Sequence, residues 1–386
     1  MDSSLNTYRQ YWPVVALLMI LIGLLTVTLI PYRGNVTALF HMDREVAARG
    51  RYPLPVGFIV LTVPAYDGAQ YYQIARSVPQ IFTAEWPAIR SSAPGAYAYQ
   101  RFLLPVLAWL LTLGQESLLP YAFLLINLGS LLLTAMVLLK KNIKPLYVLA
   151  ITLSPAATVA MHFSLAEPLT ILLLTFFLLR TKKSAALEPL DLLLLSLLVI
   201  TREVNILFIA FLGAFLLWKQ RWHDVFLLIV PLTAFFILHG WIYHVFGSVP
   251  FLLSTGNRSL PFSSPLKILL DISGTNRLTL SSIALLLLFV FPALTWTLHE
   301  IIRHRRKDIL TIGSFIFLLL MSMMSPNIWG SITSIGRVIT PVYPLVLLAA
   351  SERDTTVTRA IAIGVLLLGI AIAIGLALTA HPFILS

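Results

Sequence analysis

The chain has 386 residues, 58% of them hydrophobic and only 11% charged, with a mean hydropathy of +0.89. A soluble domain cannot hide that much apolar surface, so lipid is the solvent for most of this chain. The formal charge of +11 falls in short Lys and Arg clusters between apolar runs, a pattern of topology and anionic-lipid contact rather than of a nucleic-acid face. There is no cysteine, which excludes disulfides, thiol catalysis and Cys-ligated metals.

The apolar runs are long and continuous and do not alternate with period two, so they predict spanning helices, not barrel strands. The first span covers 13–31; it is too long for a signal-peptide core and lacks a small-residue cleavage site, so it reads as a retained helix. A large polar loop, 32–118, follows, with two short apolar stretches at 57–64 and 101–113 expected to lie along the membrane surface. Near its start, Asp43-Arg44-Glu45 reads as a solvated charge run. Further spans are expected at 119–139, 145–161, 167–180, 189–201, 203–218 and 224–246. After a Ser-, Gly-, Pro- and Asn-rich loop at 247–277, the last spans fall at 278–299, 309–325, 336–350 and 357–380. The expected fold is a single all-α polytopic membrane domain over 1–386, with about eleven transmembrane helices and a bundle from 119 onward.

Charge bias orients this threading. If 101–113 does not cross, the interior loops hold 15 of the 27 basic residues; if it crosses, only 6 remain inside. The positive-inside rule favours the first arrangement, with a cytoplasmic N-terminus, an extracytoplasmic C-terminus and the 32–118 loop outside. The expected location is a cell membrane, of the bacterial inner-membrane kind.

Ionisable groups at membrane depth cost about 2.5–3.5 kcal/mol each on insertion scales, so the few at exterior helix ends are the candidates for chemistry. Asp67 opens a helical stretch, with Tyr66 before it and Tyr71 and Tyr72 after it. Read blandly, it is a helix N-cap with Gln70 three residues on. Read functionally, it is a general base among rings suited to sugars. Tyr99, Gln100 and Arg101 precede the second surface stretch and are expected at the same mouth. Arg337 follows Gly336 and precedes Pro341 and Pro344; its planar fork suits a phosphate, and a snorkelling anchor is the alternative. Arg202 and Glu203 read as a local charged pair capping the next helix, with Arg202 a second phosphate candidate. Glu167, before Pro168, sits in a helix's first turn, where the dipole favours a carboxylate and where it could orient an acceptor.

No HExxH or His-carboxylate cluster suggests a metal, and no phosphate-cradling Gly-rich loop suggests a nucleotide. No cofactor is expected, although an Asp67–Glu167 pair holding a divalent cation is left open. Asn35-Val36-Thr37 and Asn257-Arg258-Ser259 match the glycosylation sequon and both map outside.

The aromatic-Asp-x-x-x-Tyr-x-x-Ile-Ala pattern of Tyr66 to Ala75, in the first exterior loop, resembles the PIG-V-type branch of the GT-C membrane glycosyltransferases. The layout of one span, a large exterior loop with two surface helices and then a bundle is similar too, as is the Gly336-Arg337 pattern with its two prolines. The resemblance implies transfer of a sugar from a polyprenyl-phosphate donor to a glycan, lipid or protein acceptor, with Asp67 as the base. This chain offers Leu103-Leu104-Pro105-Val106 where the family carries an aromatic-rich run, so sugar and acceptor stay open. The rival is a multi-pass transporter or lipid-linked glycan flippase, which would carry its ionisable residues in mid-span. A scaffolding subunit, in which Asp67 is only a cap, is the third reading. A common cavity for Asp67, Glu167, Arg202 and Arg337 would separate the first reading from the other two.

Overall fold

The computed structural model describes residues 2–49, 53–83, 95–182, 186–248, 259–270, 277–338 and 340–379. Helices dominate, as backbone groups facing hydrocarbon must pair within their own segment. Helix α1 (Asp2–Leu29) ends in a 3-10 turn and is followed by the short α2 (Arg44–Arg49), then α3 (Asp67–Phe82), α4 (Ala96–Tyr99) and α5 (Leu103–Thr112). The bundle continues with α6 (Leu119–Lys140), α7 (Pro145–Thr152), α8 (Pro155–Phe163), α9 (Glu167–Thr181), α10 (Pro189–Thr201) and α11 (Ile206–Trp218). Next come α12 (Trp222–Leu227), α13 (Ile229–Phe246), α14 (Ser263–Leu270) and α15 (Arg277–Leu285), which runs through a π-turn into α16 (Phe291–Ile302). The chain closes with α17 (Ile309–Ser322), α18 (Pro326–Trp329), α19 (Ile332–Val338), α20 (Val342–Arg353) and α21 (Thr356–Thr379).

Among the described residues, five helical segments are long and apolar enough to cross a bilayer: Tyr11–Tyr32, Leu119–Lys140, Trp222–Phe246, Leu280–Ile302 and Thr356–Leu378. Two bent pairs, α7 with α8 and α19 with α20, raise the number to as many as seven. The protein is therefore an all-α membrane protein. The shorter apolar helices Leu103–Thr112, Pro189–Thr201, Glu203–Trp218 and Ile309–Ser322 pack among these segments.

The core lies between α6, α9 and α10 on one side and α7, α8 and α21 on the other, where side chains such as Phe123, Ile151, Phe177 and Leu198 are fully buried. Helix α21 approaches the α7–α8 break at Gly369, where any Cβ would collide with the Leu153 carbonyl. Such contact between helix backbones is characteristic of membrane bundles, where small residues let packing replace the hydrophobic drive.

Two expectations for the first loop change. The stretch 57–64 is not a surface helix: Val60–Leu61 forms a short strand, β2, pairing in parallel with β1 (Met42–Asp43). Its β-branched residues suit a pleated pairing better than a helix. Asp43 is not merely solvated. Its carboxylate accepts the Val46 N–H at 2.7 Å and the Ala65 N–H at 2.9 Å, starting α2 and stitching the loop across 22 residues. The Asn35 sequon is likewise occupied structurally, with its amide donating to the Gly57 carbonyl at 2.7 Å and its oxygen accepting from Thr37. The Asn257 sequon lies outside the described residues.

The end of the bundle where α9 starts and α10 finishes holds the candidate site. At the other end, roughly 22 Å along the 15-residue α9, basic loops are tied by ion pairs. Arg180 meets Asp191 at 3.0 Å, Arg353 meets Glu300 at 2.9 Å, and Lys144 meets Asp354.

Candidate active site

Local sequence sets each side chain of the site. The first turn of α3 is wedged against the end of α8: at Gly68 a Cβ would strike the Phe163 carbonyl, so only glycine lets Asp67 come this close. Tyr66 locks the same corner by stacking its ring on Phe163 at 4.1 Å, while its backbone N–H donates to the His41 carbonyl. Ser164 then turns the chain back with a left-handed φ of 53°, and α9 begins on Glu167, with Pro168 pre-set for a helix's first turn.

Arg202 breaks α10 by adopting an extended backbone, φ −153° and ψ 134°, before the 3-10 turn Glu203–Asn205. Successive side chains of an extended segment point to opposite sides, so Arg202 and Glu203 part company. The local pair expected from sequence does not form. Arg337 lies in the last turn of α19, four residues before Pro341. Proline has no N–H for the Arg337 carbonyl; Arg202 Nη1 supplies a donor instead at 2.7 Å, and Thr340 Oγ1 a second at 2.7 Å.

These pieces assemble an alternating chain of charge: Glu203, Arg101, Asp67, Arg337, Glu167, Arg202. Arg101 grips Glu203 with two edges, Nε at 3.1 Å and Nη2 at 3.0 Å, and reaches Asp67 Oδ2 through Nη1 at 2.5 Å. Arg337 Nη2 meets the same oxygen at 2.9 Å, and its Nη1 stands 3.4 Å from Glu167 Oε1. Arg202 Nη1 closes the row at 3.0 Å from Glu167. Acids and bases are equal in number, which is how charge is tolerated in so apolar a surrounding. Burial is graded along the row: the Asp67 side chain keeps 19% exposure and Arg337 12%, whereas Arg202 and Glu167 keep 2% and 1%. Asp67 and Arg337 are thus the charged groups a visiting molecule could meet first.

Asp67 does not act as an N-cap. Tyr66 occupies that position, and no side-chain capping bond is made. Burial alone would raise the Asp67 pKa, but the charges of Arg101 and Arg337 outweigh it and hold the carboxyl well below the usual range. Tyr66 is part of the site, its hydroxyl accepting from Arg337 Nε at 3.1 Å and donating to the Thr333 carbonyl at 3.1 Å. Tyr71 touches Arg101 Nη1 at 3.3 Å but is sealed, as is Tyr72, so neither offers an open platform for a sugar. Tyr97 is the open one: the residue is 46% exposed, and its hydroxyl accepts from Arg101 Nη2 at 2.6 Å.

Tyr99 and Gln100 lie apart from the charged row. The Tyr99 hydroxyl pairs with Ser77 at 3.0 Å, and Gln100 faces His239 at 3.4 Å, both inside the core. Sequence reasoning passed over Tyr97, four residues before Arg101 and so one helical turn away, and treated Glu203 only as a neighbour of Arg202. A cleft of about 420 Å³, lined in part by Arg33, Phe58, Tyr72, Glu116 and Tyr121, includes none of the six charged side chains. Among the described residues no three His, Asp or Glu side chains converge as metal ligands. Asp67 and Glu167 share Arg337 between them.

Comparison with protein-family models, curated proteins and solved structures found no match.

Proposed function

We propose that this chain is a GT-C-type glycosyltransferase, moving a sugar from a polyprenyl-phosphate donor to an acceptor hydroxyl at the extracytoplasmic face of a cell membrane. The observation that carries the reading is the shared Asp67 oxygen, 2.5 Å from Arg101 and 2.9 Å from Arg337, at the more exposed part of the charged row. In the reaction, the acceptor's O–H proton passes to Asp67 while its oxygen bonds to the anomeric carbon. The sugar–phosphate C–O bond breaks, and its electron pair stays on the phosphate. One unit of negative charge thereby leaves Asp67 and appears on the departing phosphate. Two guanidiniums beside the acid are suited to follow that charge, as anion-binding groups in a dry site do. Tyr97 would stack on the sugar, and Glu167 and Arg202 would hold Arg337 in place.

The proposed threading has eleven traverses, with the short helices α9, α10, α11 and α17 crossing beside the longer ones, and the site end outside. The basic loops at the opposite end agree with that orientation under the positive-inside rule. A transporter would be expected to hold its charges in mid-span. Here Glu167 opens α9 and Arg202 follows α10, while Arg337 sits at the break between α19 and α20; the two placements at helix ends support chemistry at a surface over passage.

The test is Asp67→Asn in cells, with lipid-linked and surface glycans analysed by mass spectrometry beside a gene deletion. Transfer should fall by about 10²–10⁴, the usual contribution of a general base, with membrane insertion unchanged. A glycan profile altered by the deletion but restored by Asp67→Asn would remove the base role. A profile untouched by the deletion would count against the transferase reading.

A further inference from the structure

The row of charges poses a problem for the reading just given, and its resolution makes a separate prediction. A base must give up its ion-pair partners to take a proton, yet Asp67 Oδ2 is gripped by Arg101 and Arg337 together. We infer that this grip is a latch: an anionic phosphate entering the site takes over the facing N–H groups of Arg101 and Arg337, and the freed Asp67 becomes competent to accept a proton. The inference rests on the transferase reading and deepens it.

The way each arginine is anchored supports the exchange. Arg101 is fixed by its Nε and Nη2 to Glu203, at 3.1 and 3.0 Å, and commits Nη1 to Asp67. Arg337 is fixed through Nε, to the Thr333 carbonyl at 2.9 Å and the Tyr66 hydroxyl at 3.1 Å, and commits Nη2 to Asp67. Both guanidiniums therefore keep their places when the Asp67 contact is lost. Their released N–H groups already face one point, suited to a phosphate's paired oxygens.

The acid, unlike the arginines, is held through this one shared contact point. Among the described residues Oδ1 of Asp67 accepts no hydrogen bond, so its fixation depends on the two arginines. The groups facing Asp67 are Arg101, Arg337, Tyr71, Tyr97 and, further along the row, Glu167, Glu203 and Arg202. Burial disfavours the charged carboxylate and the two arginines oppose that effect. Neutralising them with a phosphate leaves burial and the charge growing on the departing phosphate acting in one direction, toward a higher proton affinity at Asp67 as the acceptor's proton arrives. Paired with both arginines the carboxylate is a weak base, and the donor strengthens it.

The experiment reads protonation directly, with no transfer reaction: dodecyl phosphate, a monoester, stands for the departing phosphate, beside which Asp67 holds the proton it has taken. Dicyclohexylcarbodiimide reacts with protonated carboxyls in apolar surroundings, and peptide mass spectrometry locates the adduct. The purified full-length protein in dodecyl maltoside is labelled between pH 5 and pH 8, with and without saturating dodecyl phosphate; Asp67→Asn confirms the assignment. Binding of the probe is measured separately by calorimetry. Without the probe, Asp67 labelling should stay at background, and with it labelling at Asp67 should rise at least tenfold. Arg337→Gln should raise it without any probe. If dodecyl phosphate binds and Asp67 labelling does not change, the latch is wrong and the phosphate site stands. If it does not bind at all, the donor reading falls and the latch falls with it.

Discussion

Removing Arg202 tests the charged row as a physical object, whatever the reaction. In Arg202→Met, Glu167 keeps only Arg337 at 3.4 Å, its Oε2 has no partner among the described residues, and its side chain is 1% exposed. The Arg337 carbonyl is not orphaned, because Thr340 Oγ1 still donates to it at 2.7 Å. The damage is therefore mainly electrostatic. Breaking a buried ion pair from one side costs about 3–5 kcal/mol. At about 2 °C per kcal/mol for a large chain, the melting temperature should fall by roughly 6–10 °C. Glu167→Gln should cost somewhat less, because the amide oxygen still accepts from Arg202. The double substitution Glu167→Gln with Arg202→Met removes both charges together, and replacing a buried pair by neutral groups is often close to neutral. Its loss should fall short of the summed single losses by at least about 2 kcal/mol, the mark of direct coupling. Thermal unfolding in detergent, followed by fluorescence-detected size exclusion, measures all four proteins. Single losses that simply add, or an Arg202→Met protein melting within about 2 °C of the parent, would refute the reasoning.

Two further outcomes follow from the same geometry. Asp67 has its folded pKa depressed by Arg101 and Arg337 against the opposing effect of burial, so its ion pairs stabilise the fold fully above the unfolded value near 4 and are lost only as pH falls through the lower folded one. The stability difference between the parent protein and Asp67→Asn should thus be constant from pH 5 to pH 8 and shrink below about pH 4; a difference that varied across the neutral range would contradict this, and denaturant titrations at each pH read it. Gly68→Ala puts a methyl group into the Phe163 carbonyl and should cost about 1–3 kcal/mol as overpacking, while also moving Asp67 off the two arginines and raising dodecyl phosphate affinity. A Gly68→Ala protein with parental stability and affinity would show that the wedge between α3 and α8 does not set the acid's position.

Composition alone decided the solvent: a chain this apolar must be helical in lipid, and the long runs at 13–31, 119–139 and 357–380 each correspond to a long apolar helix. The scarcity of charge also pointed to Asp67, Arg101, Glu167, Arg202 and Arg337, because an ionisable group near hydrocarbon is too expensive to stand there idly. Which of these touch was decided only by the fold. The contacts join residues 34, 102 and 170 positions apart, and no local pattern reports such distances. Only the extended backbone at Arg202 sends it to Glu167 and leaves Glu203 for Arg101; a helical reading would have kept the neighbours together. Packing of α3 similarly buried Tyr71 and Tyr72 and left Tyr97 as the open ring, since the two kinds of tyrosine look alike until a neighbouring helix covers one of them.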